Sequence, residues 1–176
     1  MWGNMGATSK AKRTALPGYE RVRECFDYDP HSGALIWRVS GARMRAGEDA
    51  GVVRPDGQIL VGLDGGRYRS HRLIWLWMTG DEPPEYIDHA DGDRGNNRWG
   101  NLREASNSLN MANRGAQKNN RASGLKGAYA NNGVWMSRIQ KDGVDYYLGC
   151  FSSPEEAHAA YAAKATELFG EFARVA

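Results

Sequence analysis

The chain has 176 residues, a formal net charge of +2, 41% apolar and 25% charged residues. That length holds one medium domain or two small ones, and ordinary globular usage excludes wholesale disorder. The only cysteines, Cys25 and Cys150, lie far apart, so a four-cysteine zinc site is excluded, a disulfide framework is not expected, and a reducing cytoplasm suits the chain.

Residues 1–16 are basic without a continuous apolar core, so they read as a loose tail able to touch a phosphate backbone and not as a secretory signal. No run approaches the ~20 apolar residues of a membrane-spanning helix. Gly18 to Phe26 forms a helical turn with Tyr19, Val22 and Phe26 along one side. Asp29-Pro30-His31-Ser32-Gly33 is turn chemistry between a strand ending near Tyr28 and another through Ala34 to Val39. Arg54-Pro55-Asp56-Gly57 and Asp64-Gly65-Gly66 turn the chain twice more, giving strands at Gly51 to Val53, Gln58 to Leu63 and Arg67 to Ser70. His31 is expected to be an exposed turn residue.

His71 to Thr79 reads as a buried helix, with Leu73, Leu76 and Trp77 at helical spacing and Gly80 to end it. Asp81-Glu82-Pro83-Pro84 is a stiff turn into Tyr86. The next stretch, Tyr86 to Arg114, organises the chain. It has Asp88 and His89 side by side on a short strand, a polar loop from Asp91 to Gly100, a second strand from Asn101 to Ala105, and a helix capped by Ser106 that carries Asn110 and Asn113.

These residues suit metal-assisted phosphodiester hydrolysis. A hard cation such as Mg²⁺ takes one or two protein oxygens and keeps several waters, and Asp88 with the Asn110 side-chain carbonyl supplies two. Side chains alternate along a strand, so His89 faces away from Asp88. Its imidazole, with an ordinary pKa of about 6.5, is suited to take a proton from an attacking water. Asn101 is placed to hold the loop or the imidazole by hydrogen bonding.

The stretch resembles the HNH (ββα-metal) endonuclease motif, in the form found in phage and intron-encoded homing and nicking enzymes. The matching residues are Asp88-His89, Asn96-Asn97-Arg98, Asn101-Leu102-Arg103 and Asn110, which lies 22 residues after Asp88. The resemblance implies Asp88 and Asn110 as ligands of Mg²⁺ or Mn²⁺, His89 as general base and Asn101 as the loop's structural asparagine. It also draws His71 and Arg72, at the start of the preceding helix, toward a phosphate contact or a supporting hydrogen bond.

Between Ala105 and Lys141 there is no Asp or Glu, while Arg114, Lys118, Arg121, Lys126, Arg138 and Lys141 all occur. A one-signed stretch beside such a site suits a polyanion running past it. Gly115 to Ser123 has almost no apolar content and reads as a linker.

A compact unit follows. Gly127 to Asn131, Val134 to Gln140 and Asp145 to Phe151 are strands, joined by Asn132-Gly133 and Lys141-Asp142-Gly143, and Ser153-Pro154-Glu155-Glu156 opens a helix to about Phe169. Three strands and a helix in about 50 residues make a marginal core. The unit resembles the Apetala or ethylene-response-factor type of DNA-binding domain, through Gly133-Val134-Trp135, Arg138-Ile139, Tyr147-Leu148-Gly149-Cys150-Phe151, Ala160-Tyr161 and Gly170-Glu171-Phe172-Ala173. That family reads the major groove with the outer face of its sheet. Alternation places Trp135, Ser137 and Ile139 toward the helix, and Arg138 and Gln140 toward the groove. Arg pairs with guanine and Gln with adenine. Lys126, Tyr129, Asn131 and Tyr147 join them from the flanking strands. Several arginines usual in the plant domains are missing, with Tyr129 at one such position, so backbone reading is expected to dominate.

The expected architecture is α+β. It comprises a tail (1–16), a ββα-metal nuclease domain preceded by β-hairpins (17–114), a linker (115–123), and a three-stranded antiparallel sheet with one packed helix (124–176). The expected function is metal-dependent cleavage of double-stranded DNA by a monomer, a nick being more natural than a double-strand break, with Arg98, Arg103 and Arg114 adding phosphate contacts. The alternative is a DNA-binding or regulatory protein whose nuclease centre is inactive. Action on RNA, junctions or packaging ends is a third possibility. No protein partner is evident.

Overall fold

The computed structural model describes residues 15–116 and 122–175. The tail assignment at 1–14, and the DNA contacts assigned to Lys118 and Arg121, lie outside them.

Helix α1 (Tyr19–Cys25) leads into a hairpin of β1 (Phe26–Asp29) and β2 (Ala34–Trp37), paired antiparallel. Asp29 closes the hairpin turn by accepting from the backbone N–H of His31 at 2.9 Å and from Ser32 Oγ at 2.6 Å. A three-stranded antiparallel sheet follows, from β3 (Val52–Val53), β4 (Ile59–Leu63) and β5 (Gly66–Arg69), and then helix α2 (Ser70–Thr79). Gly80 terminates α2 in the left-handed conformation, with φ of 77°. These elements share one core, in which Val22, Phe26, Leu35, Val61, Leu73 and Ile74 are sealed from solvent. Ile87 and Leu102 extend that core under the next hairpin, β6 (Tyr86–His89) with β7 (Leu102–Ala105).

Asn101 lies in a single 3-10 turn, Trp99–Asn101, just before β7 and not on the strand where the sequence placed it. The cause is local: its side chain is engaged by the loop it closes, as described below. Ser106 caps α3 (Asn107–Ala112) by accepting from Leu109 N, as expected.

The C-terminal unit has strands β8 (Ala128–Asn131), β9 (Val134–Lys141) and β10 (Val144–Phe151) in the order β10-β9-β8, covered by helix α4 (Pro154–Phe169). Its hairpin turns are Asn132-Gly133 and Asp142-Gly143. All four residues have positive φ, between 47° and 83°, as the tight right-twisting hairpin requires. Ser137 and Ile139 are buried while Arg138 and Gln140 are exposed, so the alternation read from β9 holds there.

The core of this unit contains Ile139, Tyr161, Ala165 and Phe169 together with Ala112 of α3, and Leu109 of α3 packs against it. The unit is thus seated on α3. Lys126 pins the joint. Its ammonium donates to the carbonyls of Ala112 (2.5 Å) and Arg114 (2.6 Å) at the end of α3, and to that of Arg174 (3.0 Å).

Candidate active site

The strand β6 delivers Asp88 and His89 to the floor of a cavity of about 1400 Å³, with α3 beside them and β5 and β8 contributing to its walls. Both side chains are buried, at 4% and 6% exposure, yet both line the cavity. The histidine is therefore not sealed inside apolar side chains.

His89 Nε2 lies 3.0 Å from Asn97 Oδ1. The contact fixes the position of the ring, and the tautomer follows from which end of the Asn97 amide faces Nε2, its Nδ2 being buried without a partner among the described residues in this orientation. Among the described residues Nδ1 has no hydrogen-bond partner. Asn97 is itself 1% exposed and fixed from two sides. Tyr28 of β1 donates its hydroxyl to the Asn97 carbonyl at 3.0 Å, and Gly33 of the first hairpin approaches the 97–98 backbone so closely that a Cβ there would fall 2.6 Å from Arg98 N. The first hairpin is thus a buttress for the residue that holds the imidazole. Beneath the ring, His71 from the first turn of α2 meets His89 edge to face, with centroids 5.2 Å apart. Burial, with the neighbouring His89, Arg69 and Arg72 adding to it, pulls the His71 imidazole down to about 3, so it packs as a neutral ring.

Asp88 stands opposite Arg103 in the β6–β7 register, and cross-strand proximity produces an ion pair: Arg103 Nε donates to Asp88 Oδ2 at 3.0 Å. Asn113, just past α3, donates its side-chain N–H groups to both carboxylate oxygens, at 3.1 and 3.0 Å, and to the His89 carbonyl at 2.6 Å. With only acceptors around it, that end of the amide must be the NH₂. Asn113 therefore steadies the carboxylate and presents no oxygen to a cation at that point. Asn110, three residues earlier, lines the same cavity as Asp88.

The loop between the strands is organised by Asp91. Its carboxylate accepts from Asn96 Nδ2 at 2.6 Å and from Asn101 Nδ2 at 3.0 Å. Asn101 also receives the Asp91 N–H on Oδ1 and donates to the Asn96 carbonyl. Burial works against ionisation of Asp91, but these hydrogen bonds outweigh it and hold the carboxyl below its usual range. Asn101 is a loop fastener here, and the imidazole is held by Asn97.

Residues 68–112 match the HNH endonuclease family. A protein of Acanthamoeba polyphaga mimivirus described as an uncharacterized HNH endonuclease is 33% identical over 115 residues, covering 64% of this chain and 59% of that relative. The chain thus spans about three-fifths of the length of the curated relative it matches. No solved structure matches. The HNH segment contains α2, β6, the Asp91 loop, β7 and α3, and so holds Asp88, His89, Asn97 and Asn110, while Asn113 falls one residue beyond it.

Several cations assigned to DNA have partners within the protein. Arg103 is 81% buried as a side chain, paired with Asp88 and stacked over Phe172 with its guanidinium carbon 3.5 Å from the ring centroid. Arg72 donates to the carbonyls of Pro84 (2.8 Å) and Pro83 (3.2 Å), tying α2 to the turn before β6. Lys126 has its three donors on three carbonyls, and burial, with Arg174 adding to it, pulls its ammonium down to about 8. His71 is buried beneath His89. Arg98 donates through Nε to the His31 carbonyl, so the turn around His31 is tied to the Asn97 loop. On the sheet, Gln140 bonds Asp145 across the hairpin, the Arg138 guanidinium lies 5.8 Å from the Tyr129 ring centroid, and Tyr147 shares a hydrogen bond with Cys150. Arg138, Asn131, Tyr129 and Tyr147 all remain exposed.

The sequence assigns Arg114 to DNA but passes over Arg67, Arg69 and Arg94, which line the cavity with it. Arg67 and Arg69, two residues apart on β5, both line it, and neither side chain has a hydrogen-bond or ion-pair partner among the described residues. Arg94 lines it from the loop, 3.6 Å from Asp56, and Arg114 from the end of α3.

Among the described residues no cluster of three or more His, Cys, Asp or Glu side chains gathers to hold a metal. The donor set at Asp88 is of another kind: a carboxylate with lone pairs left over, an amide side chain on the same cavity, and room for water. That suits a hard, oxygen-seeking divalent cation that retains much of its hydration.

Proposed function

We propose that the chain is a DNA endonuclease that hydrolyses phosphodiester bonds in duplex DNA, with His89 as general base. The observation that carries this reading is the 3.0 Å contact between His89 Nε2 and Asn97 Oδ1 at the floor of a cavity shared with Asp88. His89 Nδ1 takes a proton from water as the water oxygen bonds to phosphorus. The bond from phosphorus to one sugar oxygen breaks, and that oxygen leaves with a proton from solvent. Asp88 and Asn110 would hold a divalent cation, Mg²⁺ or Mn²⁺, which when bound supplies charge neutralisation at the leaving oxygen. Arg67, Arg69, Arg94 and Arg114 bind the backbone, supplying attraction without sequence information.

The C-terminal unit acts as a DNA-binding domain of the ethylene-response-factor type, meeting the duplex with the face that carries Arg138 and Gln140. A phage-type homing or nicking role fits a single catalytic hairpin in a monomer. The test is incubation of purified protein with plasmid DNA and Mg²⁺ or Mn²⁺. Nicked circles that disappear in His89→Ala support the reading. Undiminished cutting by that variant, or DNA binding without cleavage under any divalent cation, overturns it.

A further inference from the structure

The C-terminal segment makes contacts with the β6–β7 hairpin, its loop and α3 that a tethered binding module does not require. The Arg103 guanidinium carbon lies 3.5 Å over the Phe172 ring centroid, and its Nε holds Asp88 Oδ2 at 3.0 Å. Arg103 NH1 also reaches the Glu171 carbonyl at 3.4 Å and its carboxylate at 3.7 Å. Arg174 places its guanidinium 3.4 Å from the Asp91 carbonyl, against Gly92, where any Cβ would collide with it. The Arg174 backbone N–H donates to the Ala112 carbonyl at 3.3 Å, beside the Lys126 ammonium.

The geometry points to Glu171–Arg174 as part of the active site, with Phe172 a positioning residue that sets the Asp88 carboxylate through Arg103. Arginine is a long side chain whose rotamers scatter when nothing covers the guanidinium. Phe172 covers one face of it and Glu171 receives its outer N–H, so the inner edge is left aimed at Asp88. The carboxylate is then held by Arg103 and Asn113, with Oδ1 taking a single donor and the residue lining the cavity. The nuclease centre is complete only when the C-terminal unit is seated on it, which makes seating a condition for the chemistry. The inference rests on the nuclease reading for its functional meaning, but its structural content is the aim of a cation-binding carboxylate.

The test uses the full chain and Mn²⁺ itself as the probe, with affinity read by electron paramagnetic resonance and cleavage measured in parallel. Loss of an outer partner of a metal-binding carboxylate typically weakens metal affinity by about tenfold or more. Phe172→Ala is therefore expected to raise the Mn²⁺ dissociation constant about tenfold and to restore most of its cleavage at saturating Mn²⁺. Phe172→Leu, which fills the space without a ring face, should show the same shift with the melting temperature preserved. Phe172→Tyr, which keeps the face, should return the affinity to within about twofold of native. Native Mn²⁺ affinity in a folded Phe172→Leu protein overturns the inference, as does an equal loss in Phe172→Leu and Phe172→Tyr. If the native chain binds Mn²⁺ with the expected shifts but cuts no DNA, the positioning role stands and the nuclease reading fails. A native chain that binds no Mn²⁺ overturns both.

Discussion

Asn97 Oδ1 lies 3.0 Å from His89 Nε2, and this single contact holds the imidazole in its place at the cavity floor. Removing it in Asn97→Ala frees the imidazole to exchange tautomers and to rotate. Cleavage should fall about a hundredfold, the scale of a general base, with DNA affinity by gel shift unchanged. Equal losses in affinity and rate would mean that Asn97 supports the fold of the loop and not the orientation of the base.

Arg67 and Arg69 are exposed, have side chains unpaired among the described residues, and line the cavity. Replacing either with Ala should weaken DNA binding across all sequences and lower the slope of log affinity against log salt by about one. Lys126→Met should behave in the opposite way. The loss of three charged hydrogen bonds at the joint should reduce unfolding stability by about 2 kcal/mol and leave the salt slope in place. A reduced slope in Lys126→Met would return that residue to the DNA-binding surface.

His71 gives the fold a sensitivity to acid. Its native imidazole is held down to about 3, chiefly by burial, whereas in the unfolded chain it titrates near 6.5. Above that value both states are neutral and His71 contributes nothing to the pH dependence. As the pH falls below it, the unfolded state binds a proton that the native state refuses, so stability declines until about pH 3. The slope approaches 1.4 kcal/mol per pH unit, or about 2 kcal/mol between pH 7 and pH 5. Denaturant melts of native and His71→Gln proteins across that range should differ by this amount, and parallel curves would show that His71 protonates in the folded state.

Gly127 sits at a φ of 78°, and a Cβ there would fall 2.1 Å from Cγ and Cδ2 of Tyr161. Gly127→Ala adds backbone strain to overpacking and should destabilise the C-terminal unit by about 2–3 kcal/mol. Calorimetry reads the result, and a loss below about 0.5 kcal/mol would show that Tyr161 moves aside freely.

Much of this molecule was legible because local chemistry dictates it. Asp29 to Gly33, Asp64-Gly65 and Asn132-Gly133 announce turns through side-chain acceptors and positive φ, and the hairpins follow. Asp88-His89 and the Ser106 cap needed only strand alternation and helix-end chemistry. The partners of the cations were not legible for a physical reason: a sequence gives a charge but not the carbonyl or carboxylate that waits for it. Arg103 is answered by Asp88 only once β6 and β7 pair in their register, and Lys126 only once α3 and the C-terminal segment meet. The asparagines are separated on the same grounds. Asn97 and Asn101 sit four residues apart in one loop, and tertiary contacts from Tyr28 and Gly33 turn the first toward His89 while Asp91 claims the second. Asn110 and Asn113 are nearly one helical turn apart, so spacing alone does not say which amide meets the carboxylate.

Helix α3 is six residues long, too short to persist in water without support. On one side it ends at the amide that steadies Asp88, and on the other Leu109 and Ala112 lie beneath Tyr161 and Phe169. A surgeon dividing this chain at its most polar stretch, around residue 116, would believe the cut clean. The excised front half would lose the floor under α3, the cap at Lys126 and the ring over Arg103 together. The two halves are one inheritance, and the incision that looks safest on paper passes through the seam that keeps the reactive residues in order.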